Sequence, residues 1–132
     1  EDGTVVCWGR RQGGALGLDP AACTDSTGLQ AEPVARHPKA TMVSAGTSQS
    51  CAVLEDTTVQ CWGTNYLPYH GSATPEPVPG LEPAVAVASG TYHDCALLVS
   101  GGVVCWGGND RGQLGDGTTT PSDIPVAVLG IP

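Results

Sequence analysis

The chain has 132 residues, enough for one domain with a buried core, and contains 19 glycines, 11 prolines, no phenylalanine and only 14% charged residues. Short strands joined by tight turns fit this composition better than helices, so an all-β fold is favoured. The formal net charge of −8 is the wrong sign for binding nucleic acid, and no run approaches the ~20 apolar residues of a membrane helix, so we expect neither a nucleic-acid partner nor a membrane span.

A three-residue motif marks an internal repeat. The chain opens on EDGTVVCWG, in which turn residues lead into a β-branched run. The motif occurs three times, as Cys7-Trp8-Gly9, Cys61-Trp62-Gly63 and Cys105-Trp106-Gly107. Residues 43–63 align without a gap with residues 87–107, 44 positions further along. The chain therefore divides into half a unit, residues 1–39, and two whole units, residues 40–83 and 84–132.

Each whole unit contains four short segments of β character. In the second unit they are ATMVSAG, SCAVL, TVQCWG and a stretch at Pro77-Val78, and in the third AVAVASG, DCALL, GVVCWG and a stretch at Pro125-Val126. Turn residues separate the middle segments at Glu55-Asp56-Thr57 and Ser100-Gly101-Gly102. Four strands in roughly 44 residues are typical of a propeller blade. The sequence thus predicts about two and a half four-stranded β-propeller blades, as a partial propeller or part of a larger one.

The third unit carries the pattern Gly90-x-x-His93, Cys95-Ala96-Leu97, Trp106-Gly107 and Asn109-x-x-Gly112-Gln113-Leu114-Gly115. With these residues the units resemble the repeats of the regulator of chromosome condensation family, a β-propeller family, over nearly the whole chain. The resemblance implies structural roles within each repeat rather than chemistry. The residues expected to have such roles are Trp8, Trp62, Trp106, Gly17, Gly115, His93 and Gln113.

Two cysteine pairs are placed symmetrically about hairpin turns. Cys51 and Cys61 flank one turn, and Cys95 and Cys105 flank the other. Opposite positions in an antiparallel hairpin bring their Cβ atoms close enough for a disulfide, so we predict both bonds. Metal sites are the rival explanation, but the spacing lacks the C-x-x-C pattern of zinc ligands. Disulfides indicate an oxidising compartment, namely the extracellular space, the periplasm or the cell surface.

The remaining two cysteines are not placed symmetrically about a hairpin turn. Cys7 would pair with a residue about ten positions upstream, which the sequence does not contain, and Cys23 lies in an insertion that the other units lack. A bond from Cys7 to Cys23, an intermolecular bond and free thiols are the alternatives.

A search for catalytic residues is negative. The three histidines, His37, His70 and His93, stand apart from any nucleophile motif, and no calcium-loop pattern is present. We therefore expect no enzyme activity, no cofactor and no metal. Bulky or basic residues outside the repeat pattern are candidates for binding a partner: Tyr66, Tyr69, Tyr92, Arg10 and Arg11.

A propeller closes with ~4 to 8 blades, so two and a half blades leave faces and a strand edge exposed. We predict a non-catalytic, extracytoplasmic module for protein–protein interaction or scaffolding that is a subunit or fragment of a larger assembly. Its partner is another protein or further copies or blades of a propeller, as in a homo-oligomer. The resemblance also offers a regulator or inhibitor of a secreted enzyme as the alternative. Nucleotide exchange on a nuclear GTPase, which the family includes, fits poorly with disulfides and acidic charge.

Overall fold

The protein is described by a computed structural model that covers residues 2–10, 15–17, 27–34, 38–64 and 72–131. These ranges contain ten strands and no helix, and therefore no helix that could cross a membrane. The strands are β1 (Val6–Arg10), β2 (Thr27–Pro33), β3 (Ala40–Ala45), β4 (Gln49–Leu54), β5 (Val59–Gly63), β6 (Ser72–Pro77), β7 (Ala84–Ser89), β8 (His93–Leu98), β9 (Val103–Gly107) and β10 (Ser122–Ala127).

The strands form three antiparallel sheets in chain order. The first sheet pairs β1 with β2, the second has the order β3-β4-β5-β6, and the third has the order β7-β8-β9-β10. Within each sheet, strands that follow one another in sequence also pair with one another. The prediction of an all-β fold with two complete four-stranded blades and one partial blade is confirmed.

Local turn chemistry sets the register of the central hairpins. The Asp56 carboxylate accepts hydrogen bonds from the backbone N–H and the hydroxyl of Thr58, at 3.0 and 2.6 Å, and these bonds lower the pKa of Asp56. Thr57 takes a left-handed φ of 68°, a conformation that Gly101 adopts in the third sheet without a side chain to resist it. The turns place Cys51 opposite Cys61 and Cys95 opposite Cys105.

The core lies between the sheets. Strand β4 is buried at every position, because its side chains alternate between two neighbouring sheets. Ala52 and Leu54 pack towards the first sheet, and Cys51 and Val53 pack towards the third. The second sheet is therefore covered on both faces, as an inner blade of a propeller is.

Polar contacts join the second and third sheets where β3 and β7 end. The Ser44 hydroxyl accepts from the Ser89 N–H at 2.9 Å, and the Gln49 amide donates to the Gly90 carbonyl at 3.0 Å. A side chain at Gly46 would lie well inside contact distance of the same carbonyl oxygen. A glycine at position 46 is therefore a condition for this close approach.

Candidate functional site

The structure forms both predicted hairpin disulfides, Cys51–Cys61 and Cys95–Cys105, each across ten positions of the chain. Their surroundings differ. Cys51 and Cys61 belong to the core between the second and third sheets, whereas Cys95 and Cys105 join neither core cluster. The two bonds thus close loops of equal length and differ in their neighbours, although Cys51 and Cys105 are both buried.

The third sheet exposes a face whose counterpart in the second sheet is buried. Val53 is 1% exposed, but Leu97, 44 positions further on, is 40% exposed. Leu81 packs against the core, but Ile131, which follows an equivalent turn, is 46% exposed. We call this surface the open face and define it by Cys95, Leu97, Val103 and Ile131. It is exposed because no described strand covers it as the third sheet covers the second.

At the other end of the structure, a cavity of about 430 Å³ borders strand β1. Four consecutive residues line it, namely Val5 and the first three residues of β1, Val6 to Trp8. The cavity is also lined by residues 43–47, which belong to β3 and the following turn, and by Ala15, Leu16, Ser50 and Trp62. We call this space the β1 cavity.

The three tryptophans do not pack alike. Trp62 and Trp106 are 2% and 5% exposed, because a preceding sheet covers each of them. Trp8 is 65% exposed, because no described sheet precedes β1. Trp8 therefore differs from the packing expected for one tryptophan per unit, although its position in the strand is equivalent.

Trp62 is held by the first unit through a hydrogen bond as well as by packing. Its indole Nε1–H donates to the Ala15 carbonyl at 3.1 Å, and the Ser50 hydroxyl donates to the same oxygen at 3.2 Å. Gly17, with a φ of 64°, lets the indole approach, and Gly115 has the same φ beside Val128. Sequence reasoning did not find the role of Ala15, because a backbone carbonyl carries no residue signature.

Cys7 is half-buried and borders the β1 cavity. It forms no disulfide with any described residue, and burial raises the pKa of its thiol. Cys23 lies outside the described residues, so the Cys7–Cys23 pairing stays a prediction.

A buried asparagine organises the loop between β9 and β10. Asn109 is fully buried. Its amide nitrogen donates to the Thr120 carbonyl at 3.0 Å and lies 3.2 Å from the Asp116 carboxylate. Its Oδ1 accepts a hydrogen bond from the Leu114 N–H at 2.9 Å. Gln113 bonds locally to the Arg111 N–H and the Asp110 carboxylate. Both side chains are used inside the repeat, which favours a structural interpretation.

His93 also contacts its own repeat. Its ring lies against Gly90, where any side chain would collide with it, and its backbone carbonyl accepts from the Gly90 N–H at 2.8 Å. No group of three or more potential metal ligands occurs among the described residues. These contacts favour the structural role over a general base, and that role stays a prediction.

Asp94 is a buried carboxylic acid that sequence reasoning missed. Only 1% of it is exposed, and its Oδ1 makes no hydrogen bond to a described residue. Burial raises the pKa of Asp94, while the Ser89 and Gln49 side chains and the charge of His93 partly offset the rise. Its position next to Cys95 in a strand gave no sequence signal, since exposed aspartates are common.

The predicted partner-binding residues are only partly visible. Tyr92 is exposed, and its backbone carbonyl accepts from the Gly108 N–H at 2.6 Å. Arg10 ends strand β1. The Arg10 side chain, Arg11, Tyr66 and Tyr69 lie outside the described residues, so binding by these residues stays a prediction.

Comparison with known families identifies the third unit. Residues 84–113 and residues 100–132 match two models of the regulator of chromosome condensation (RCC1) repeat. No curated protein sequence matches the chain.

Solved structures show the same architecture. Human WBSCR16 superposes with a TM-score of 0.84 at 23% identity, covering 96% of this chain and 35% of that one. Yeast RCC1 (Prp20) bound to Kap60 gives 0.82 at 18% identity, covering 97% and 33%. Saccharomyces cerevisiae Prp20p, described with its binding to Gsp1p and histones, gives 0.78 at 19% identity, covering 95% and 34%. The likeness shows the RCC1-type propeller fold, and the chain spans about a third of each protein.

Proposed function

We propose that this chain, whose third unit is an RCC1 repeat, is a non-catalytic module for protein–protein interaction or scaffolding that acts outside the cytoplasm. The observation that carries the proposal is the open face of the third sheet. Leu97 and Ile131 expose apolar surface at positions whose counterparts, Val53 and Leu81, are packed in the core. Exposed apolar surface of this kind favours a protein partner, or a further propeller blade, that covers it.

The partner that fits this face is a protein presenting a β-sheet with small and branched apolar side chains. The third sheet is an example of such a surface, because its residues Ala84, Val87, Ala96 and Leu98 pack against the second sheet. A similar sheet would bury the open face in the same way. The protein partners named for the yeast structures, Kap60, Gsp1p and histones, support a binding role in general and no particular partner here.

The extracytoplasmic location rests on the two disulfides, because such bonds persist in oxidising compartments. Acid-quenched thiol trapping of the protein taken directly from its native cells tests the location. We expect both hairpin bonds to be formed at the moment of quenching. Finding these four cysteines as free thiols at the moment of quenching would contradict it.

Site-specific photocrosslinking tests the binding role. A benzophenone amino acid replaces Leu97 in one variant and Val99 in a control, since Val99 is 58% exposed and its counterpart Glu55 is a solvent-exposed turn residue. We expect a protein crosslink from position 97 only, and its loss when Ile131→Arg is added. Equal crosslinking from both positions, or none from position 97, would contradict the proposal.

Inhibition of a secreted enzyme is the alternative use of the same face. It predicts that the crosslinked protein is an enzyme whose rate falls when the chain is added and recovers with Ile131→Arg. A crosslinked partner without enzyme activity, or an enzyme with an unchanged rate, would leave scaffolding as the function.

A further inference from the structure

The buried side of strand β8 includes an acid. Asp94, Ala96 and Leu98 alternate along the strand and are all buried, and Ala96 and Leu98 pack in the core between the second and third sheets. Because side chains two positions apart point to the same face of a strand, Asp94 also faces the second sheet. Both sheets have four strands, so this acid lies between two complete sheets.

Two polar atoms at this place are buried without a hydrogen bond to a described residue. One is Oδ1 of Asp94, and the other is the hydroxyl oxygen of Ser89, which pairs with Asp94 across the ladder between β7 and β8. On its other side Asp94 pairs with the buried Trp106. A buried carboxylate without such bonds is destabilising, whereas the neutral acid is tolerated more easily and its O–H can donate to a nearby oxygen.

The equivalent position of the second sheet carries a permanent hydrogen-bond donor. This residue is Ser50, 44 positions earlier, and its hydroxyl donates to the Ala15 carbonyl at 3.2 Å. An aspartate in the same position can donate only while its carboxyl group is protonated. The third unit therefore has a proton-dependent donor where the second unit has a constant one.

The contacts that join the second and third sheets lie directly beside this acid. The Ser89 N–H donates to the Ser44 hydroxyl at 2.9 Å, and the Gln49 amide donates to the Gly90 carbonyl at 3.0 Å. We call these four residues the sheet junction. The Ser89 and Gln49 side chains both act on the pKa of the Asp94 carboxyl, so a charge on this carboxyl acts on the junction in turn.

Few charged groups compensate a negative charge at this place. His93, the preceding residue of β8, is the described group whose charge lowers the pKa of Asp94. The turn from β7 to β8 adds one further titratable side chain, Tyr92. Strands β3, β4, β7 and β9 contain no ionisable side chain except cysteines, which are held in disulfides. Ionised Asp94 is therefore a buried charge with little compensation.

We propose that Asp94 is a proton-binding site that controls the sheet junction, which is closed while the carboxyl is neutral and opens more often once it is ionised. In the neutral form, one proton taken from solvent lets Asp94 donate to the Ser89 hydroxyl. In the ionised form that donor is lost, and opening of the junction relieves the burial of the charge by admitting water. The two repeat units are thus joined most firmly in acid.

Linkage gives the sign and the range of this effect. Burial raises the pKa of Asp94 in the closed junction, whereas a solvated aspartate titrates near ~3.9. Below ~3.9 both states are protonated, so the opening equilibrium does not vary with pH. Between ~3.9 and the pKa of the closed state only the open state is ionised, and opening rises ~10-fold for each pH unit. Above that pKa the equilibrium is constant again.

Amide hydrogen exchange followed by NMR tests the proposal. The Ser89 N–H is the probe because its bond to Ser44 crosses the junction, and the Leu54 N–H, which bonds to the Thr58 carbonyl inside the second sheet, is the reference. We expect Ser89 to exchange by local opening, with a lower free energy of exchange than Leu54 and no response to low urea concentrations. Its protection factor should fall ~10-fold for each pH unit within the window and then level off.

Matched variants separate the titration of Asp94 from other effects of pH. Asp94→Asn and Asp94→Ser, the latter being the residue of the second sheet, both keep a donor and should make the protection of Ser89 independent of pH. Asp123→Asn removes a half-buried carboxyl elsewhere in the third sheet and should leave the parent's pH dependence unchanged.

Four results would overturn the proposal. They are a constant protection factor of Ser89 across the pH window in the parent chain, the parent's pH dependence retained in both Asp94 variants, and exchange of Ser89 with the same free energy and urea response as Leu54. The fourth is protection of Ser89 that depends on the choice of sodium or potassium at fixed ionic strength and not on pH, since a bound cation would then neutralise Asp94.

Discussion

The two hairpin disulfides provide a sharp test of how much the packing between sheets contributes to stability. Each bond closes a loop of the same length, ten positions in sequence, but only Cys51–Cys61 packs in the core between the second and third sheets. Two double variants isolate the difference: Cys51→Ala with Cys61→Ala, and Cys95→Ala with Cys105→Ala.

The loop length sets the part of the stability loss that is the same in both double variants. Closing a loop of ten positions removes chain entropy equivalent to ~2.7 kcal/mol at 25 °C, so each double variant should lose about that much free energy of unfolding. The change at Cys51 and Cys61 also removes sulfur atoms from a packed core, which adds about 1 kcal/mol. For a chain of this length the shared part lowers the melting temperature by ~10 °C.

Urea unfolding followed by tryptophan fluorescence measures both variants against the parent chain. In excess reductant the parent should fall to within about 1 kcal/mol of each variant, because the loops then open in all three proteins. Losses below ~1 kcal/mol for both pairs would refute the loop-closure reasoning. A larger loss at Cys95–Cys105 would refute the assignment of the Cys51–Cys61 bond to the more tightly packed site between the second and third sheets.

Three further predictions concern the junctions between sheets. Gly46→Ala should lower the free energy of unfolding by several kcal/mol, because the new methyl group collides with the Gly90 carbonyl; a neutral or stabilising effect in urea unfolding would contradict the close approach. Trp62→Phe should cost about 1 to 3 kcal/mol through its lost hydrogen bond and packing, while Trp8→Phe, at a 65% exposed site, should stay within ~0.5 kcal/mol. Asp94→Asn should stabilise the chain at pH 7, because burial raises the folded-state pKa of Asp94. The parent therefore loses stability as the pH rises from ~3.9, the unfolded value, to the folded pKa. The difference in free energy of unfolding between the two proteins should vanish below that pH window.

Residue spacing was sufficient to predict the hairpins and the disulfides across them. The distance from each cysteine to the turn determines which residues face each other, because an antiparallel ladder has a fixed side-chain period of two. The same local rule could not predict the environment of Trp8, whose burial depends on a sheet preceding β1. It could not predict that Asp94 is buried either, since an aspartate beside a strand cysteine has the same local pattern whether or not another sheet covers it.

The sequence by itself therefore determined the repeat, the four-stranded units and the cysteine register, all of which depend on contacts within about one unit of chain. Only the tertiary structure decided which faces are covered, that Leu97 and Ile131 are exposed, and that residues of β1 and β3 line one cavity. Both kinds of information were needed because hydrogen-bond ladders are specified locally, whereas burial depends on how many sheets stack on one another.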